Sequence, residues 1–76
     1  MNRKILSLMS PALALGFLLG IHDGRVALWR DGEARPEQIY DIRAGTLPPA
    51  DRLQLSRGIR AESREKVRLL LENYFD

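Results

Sequence analysis

"FLLGIHDGRVALW", residues 17–29, can be read in two ways, and the choice between them decides the fold. An uncharged run continues without a break from Ile5 to Ile21, which is 17 residues and the bare minimum for a membrane-crossing helix. Against a helix stand Pro11, Gly16 and Gly20, all poor helix residues. Asp23-Gly24 is the dipeptide that a two-residue type I′ hairpin turn prefers, because both central residues need positive φ. A hairpin centred there pairs Phe17–His22 with Arg25–Arg30. In its second arm Val26 and Leu28 project to one face and Ala27 and Trp29 to the other. A membrane helix through Ile21 would leave Val26 and Leu28 without a partner strand, so the hairpin is the expectation.

Upstream of the hairpin, MNRK followed by the apolar run has the layout of a positively charged n-region and a hydrophobic h-region. Ala12-Leu13-Ala14 matches a signal-peptidase site, and a targeting segment compatible with the hairpin ends near Ala14 or Gly16. Residues 1–15 are therefore expected to be a signal, an anchor or a loose tail, with membrane association through residues 5–16. Location outside the cytoplasm or at a membrane is the expectation, and a cytoplasmic location is the alternative.

Downstream, Asp31-Gly32 ends the second strand, and Pro36 opens a third extended segment, Glu37 to Ile42, carrying Ile39, Tyr40 and Ile42. Proline confines that strand to an edge or a strand start. Thr46-Leu47-Pro48-Pro49 then introduces a helix, with Asp51 near its positive dipole end and Gly58 as a left-handed C′ stop. Ser63 is a good N-cap for a last helix, in which Val67, Leu70, Leu71 and Tyr74 fall at i, i+3, i+4 and i+7 on one apolar face.

Composition narrows the function classes. The chain has 76 residues, room for one small domain of modest stability, and no cysteine, so disulfides, thiolate metal sites and a cysteine nucleophile are excluded. His22 is the only histidine, which makes metal chemistry poor. Of twelve Lys and Arg residues, Arg3 and Lys4 stand at the start, leaving ten cations against ten acids beyond residue 4. Arg25, Arg30, Arg35 and Arg43 are interleaved with Asp23, Asp31, Glu33, Glu37 and Asp41, unlike the clustered cations of a nucleic-acid binder. Turn chemistry, strand edges and helix capping account for Asp23, Asp31, Asp41 and Asp51, and no serine sits in a nucleophile elbow. No cofactor, metal site or catalytic set is expected, and nucleic acid is not an expected partner. Trp29 and Tyr40 are the candidate contacts to an unidentified protein partner, since aromatics on the outer face of a small sheet anchor such contacts. Their alternative role is to cover the sheet or pack on the helices.

The stretches "FLLGIHDGRVALW", "RPEQIYDI", "TLPPADRLQLSRGI" and "VRLLLENY", taken in order, resemble the C-terminal domain of the bypass-of-forespore C (BofC) family of spore-forming Firmicutes. The likeness spans residues 17–76 and rests on Asp23-Gly24, Val26 to Trp29, Pro36, Asp41-Ile42, Leu47-Pro48, Asp51, Gly58-Ile59, Leu70 to Glu72 and Tyr74. Gly20 and Ile21 depart from it, since family members usually carry charged residues there. The resemblance implies that Phe17–His22 is the first strand. It also implies a non-enzymatic regulatory or protein-interaction module acting outside the cytoplasm in sporulation-related signalling. The alternative is a small membrane-anchored protein whose apolar N-terminal segment is the functional part. The expected fold over residues 16–76 is α+β, a small three-stranded antiparallel sheet packed by two C-terminal helices.

Overall fold

The computed structural model describes residues 16–74, so the N-terminal segment 1–15, expected to target or anchor the chain, lies outside the described residues. The described fold is α+β. Strands β1 (Phe17–His22), β2 (Arg25–Arg30) and β3 (Gln38–Arg43) are followed by a short 3-10 turn at Ala44–Thr46. Helix α1 (Pro49–Arg57), strand β4 (Ile59–Ala61) and helix α2 (Arg64–Glu72) complete it. The sheet is antiparallel, in the order β3-β2-β1-β4.

The hairpin forms where turn chemistry places it. Asp23 and Gly24 have φ of 51° and 79°, as a type I′ turn demands, and the ladder runs from His22↔Arg25 to Phe17↔Arg30. Asp31 N donates to Gly16 O at 3.0 Å and extends that ladder by one step. β3 begins one residue later than expected, although Glu37 N already donates to Leu28 O at 2.6 Å.

The sheet has a fourth strand that the sequence does not announce. Gly58 ends α1 with φ 89° and ψ 131°: the positive φ expected of a left-handed stop is there, but ψ is opened far beyond the left-handed helical value. The chain therefore leaves the helix directly into β4, which pairs with Phe17–Leu19 along the free edge of β1. Three residues are too few to display any periodicity, which is why Ile59–Ala61 is invisible as a strand beforehand.

The cross-strand register sorts the side chains into two faces. Phe17, Leu19, Val26, Leu28 and Ile42 point inward with Ala61 and meet Leu55 of α1 and Val67 and Leu71 of α2 in one buried cluster. Helix α2 is held at its start by Ser63, whose hydroxyl accepts from Lys66 N at 3.1 Å. Leu70 and Tyr74 join the expected apolar face but are only partly buried. Helix α1 contributes a single buried residue, Leu55, while Leu53 is exposed.

Candidate functional site

Helix α2 packs its buried side chains on the inner face, while the C-terminal end of α1 reaches over part of the outer face, where a Cβ on Gly20 would stand 3.4 Å from Leu55 O; the rest of the outer face is the candidate surface. Register places Leu18, Gly20 and His22 of β1 there, beside Trp29, Ala27 and Arg25 of β2 and Arg60 of β4. The indole of Trp29 lies over Gly20: a Cβ built on Gly20 would stand 3.1 Å from Trp29 Cζ3. A side chain at that position would crowd the ring and also the Leu55 carbonyl oxygen, 3.4 Å from the same Cβ. The ring also meets the His22 imidazole edge-on, with centroids 6.2 Å apart and planes at 71°. Trp29 is thus half-buried, one side on the sheet and the other toward solvent.

Beside the indole an open cleft of about 400 Å³ runs between the sheet and the C-terminal end of α1. Leu18 and Trp29 supply apolar wall, while Arg57, Glu33 and the Arg60–Asp31 ion pair, at 2.6 Å, supply the polar rim. Leu18 packs directly beneath Gly58, where an added Cβ would meet Leu18 Cδ1 at 2.9 Å. A concave patch of mixed apolar and charged lining suits a side-chain anchor from another protein.

Tyr40 stands elsewhere. It alternates with Ile39 and Asp41 and shares the inner face with Ile42, packed against the core. Burial, helped by the nearby Glu37 charge, raises its phenol above the ordinary 10.0. The structure does not bring the two candidate aromatics together, because odd and even positions of a strand face opposite ways.

Near Tyr40 a charged cluster ties the inner face together. The Glu37 carboxylate reaches Arg64 at 2.7 Å and Arg30 at 3.4 Å. Both guanidiniums lie over the Phe17 ring, at 4.8 and 5.7 Å from its centroid respectively. The hydrogen bond from Arg64 leads in holding the Glu37 carboxyl below its ordinary value. This cluster joins β1, β2 and α2 to the segment before β3 and has a structural role.

Leu18 and Gly20 are the candidate-site residues that sequence reasoning misses. Their importance comes from the cross-strand register and from the path of Gly58, neither of which leaves a local signal. His22 stands half-exposed on the outer face, 3.6 Å from the Asp23 carboxylate. No helix among the described residues is long and apolar enough to cross a membrane, and none of their acidic or histidine side chains gather in a group able to hold a metal ion. No protein-family model matches the chain, and neither a curated protein nor a solved structure is significantly similar to it.

Proposed function

We propose that the domain is a non-enzymatic module that binds another protein through the outer face of its sheet, with Trp29 as the central anchor. The observation that carries this is the half-buried indole laid over Gly20 beside an open cleft whose other wall is the C-terminal end of α1. A large aromatic fixed by its own sheet contributes contact area while losing little side-chain freedom on binding. The ordered motifs similar to the BofC C-terminal domain support a regulatory role for that contact. We leave Tyr40 outside the proposed surface, because it is half-buried and packs against the inner-face core.

The test is site-directed photo-cross-linking in the native host. A photoreactive phenylalanine analogue replaces Ile39, an exposed residue of the outer face, or Leu69, an exposed residue on α2 at the opposite side of the molecule. A discrete adduct from position 39, none from position 69, and loss of the adduct in a folded Trp29→Ala chain is the expected result. Adducts of equal yield from both positions would refute an outer-face interface, as would an adduct from 39 that survives Trp29→Ala.

A further inference from the structure

The end of the outer face nearest the hairpin turn carries two arginines directly opposite each other. Arg25 of β2 and Arg43 of β3 are cross-strand partners, both exposed, and neither makes an ion pair with a described residue. Like charges set opposite on an antiparallel ladder repel. The register that produces this pair is irregular. Ala27↔Ile39 and Leu28↔Gln38, continued in step, would set Arg25 opposite Asp41, an attractive pair. Between Ala27 and Arg25 the ladder instead slips by two residues, so that Tyr40, Asp41 and Ile42 together stand across from Val26, and Arg43 takes the place of Asp41. Bulges of this kind re-aim side chains at the edges of sheets.

The slip itself has a packing cause. It seats Ile42 and Ala44 in buried positions and lets Ala44 N donate to Gly24 O at 2.8 Å. Nothing in that packing requires a cation at position 43, whose side chain is exposed. Arg25 and Arg43, with Asp23 and Gly24, border a polar recess of about 290 Å³. Asp23 is the one carboxylate on its wall, and it lies 3.6 Å from His22 Nε2.

We propose that Arg25 and Arg43 form a two-pronged receptor for a carboxylate, supplied by an acidic side chain of the protein partner that engages Trp29. Two guanidiniums on neighbouring strands each offer parallel N–H donors, and an oxyanion between them turns their repulsion into charge-assisted hydrogen bonds. The assignment rests on the outer-face interface proposed above, and it adds a spacing rule. Arg25 and Trp29 are four residues apart on one strand, about 13 Å. The partner therefore presents an acidic group and an apolar anchor about 13 Å apart, some four residues in an extended segment or nine in a helix. Phosphate could fill the same recess chemically. Carboxylate is favoured because Asp23 stands on the wall of the recess, and Asp41 two residues before Arg43, opposing a doubly charged ligand or a nucleic-acid backbone.

The experiment follows the arginine Nε–Hε resonances of the nitrogen-15-labelled full chain during titration with tetraglutamate, inorganic phosphate, or a short DNA duplex. Tetraglutamate should shift Arg25 and Arg43 together and saturably, leaving Arg35 and Arg52 in place, and Arg25→Gln or Arg43→Gln should each weaken binding by about tenfold. The melting temperature of Arg43→Gln should hold or rise by about 1–4 °C, because a repulsion is removed. Uniform shifts of all exposed arginines would overturn the assignment, as would a clear fall in melting temperature on Arg43→Gln. Saturation by phosphate or DNA without tetraglutamate would transfer the recess to phosphate ligands. If tetraglutamate binds at the pair while cross-linking from Ile39 finds no partner, the carboxylate receptor stands and the partner interface falls.

Discussion

Replacing Gly58 with alanine should cost the domain a large part of its stability, for two separable reasons. Gly58 holds φ 89° and ψ 131°, a conformation that side chains resist, and a non-glycine residue held in such a region costs about 1–3 kcal/mol. The added methyl would also stand 2.9 Å from Leu18 Cδ1 and 3.4 Å from Leu18 Cγ. Leu18 would have to leave its preferred rotamer, at about 0.5–1.5 kcal/mol. The combined loss is about 2–4 kcal/mol, against a total stability for so small a domain of roughly 5 kcal/mol. Urea unfolding followed by indole fluorescence is the assay. With a slope of about 1 kcal/mol per molar for a chain this short, the midpoint should fall by about 2 M or more. Adding Leu18→Ala to Gly58→Ala should return only the rotamer component, and the double-mutant cycle separates the two. Hydrogen exchange should locate the damage in β4 and its pairing with Phe17–Leu19. An unchanged midpoint would refute the conformation assigned to Gly58, and with it the direct passage from α1 into β4.

Gly24→Val should cost about 1–2 kcal/mol through the backbone alone, since nothing lies within 4 Å of a Cβ there, whereas Gly24→Asn should be nearly neutral; equal urea midpoints for the two would contradict the type I′ turn. Leu71→Ala should destabilise by about 2–4 kcal/mol and Leu70→Ala by clearly less, because Leu71 is 8% exposed while Leu70 only borders the core; the reverse order in denaturant midpoints would place α2 in a different phase. The Glu37 carboxyl is held below its ordinary value of 4.5, so its contribution is present above that pH and is lost as pH falls through the lowered value. Glu37→Gln should therefore be less stable at neutral pH and show a shallower acid decline, with some decline remaining because Arg68 lowers Glu65 in the same way; parallel pH profiles of urea midpoints for parent and variant would rule this out.

What the sequence discloses of this fold is what local chemistry controls. The β1–β2 hairpin is legible because Asp23-Gly24 determines both the turn and, through it, the register of all six pairs. Helix α2 is legible because Ser63 caps it and Val67 and Leu71 keep helical spacing. Beyond these, the determinants are long-range. The two-residue slip between β2 and β3 depends on Ile42 reaching the core, and a reader of Gln38 to Arg43 has no means of seeing it. Helix α1 has one buried residue, so nothing in its pattern says which face meets the sheet. The same limit applies to the candidate surface. Strand parity puts Trp29 opposite Val26 and Leu28, but that its ring lies on Gly20 requires knowing that β1 and β2 are paired.

The ambiguity of Phe17 to Ile21 now has a physical cause. A strand with one face in water alternates apolar and polar residues, while a strand covered on both faces reads as a continuous apolar run. β1 belongs to the second kind through two covers from distant parts of the chain. Phe17 and Leu19 are buried on the inner face, where Ile21 packs against them. On the outer face Leu18 lies beneath Gly58 and Gly20 beneath the Trp29 ring. A charged side chain at position 20 has no room under that indole. Gly20 and the outward Trp29 therefore form one device. Replacing the glycine with a long charged residue should expel the ring from the sheet and expose it to water, and it also crowds the Leu55 carbonyl oxygen of α1, 3.4 Å from the same Cβ. The emission of Trp29, the only tryptophan in the chain, reports that movement directly. A Gly20→Glu chain should fold with red-shifted fluorescence, and unchanged emission would mean that the apolar character of β1 has some cause other than the indole that covers it.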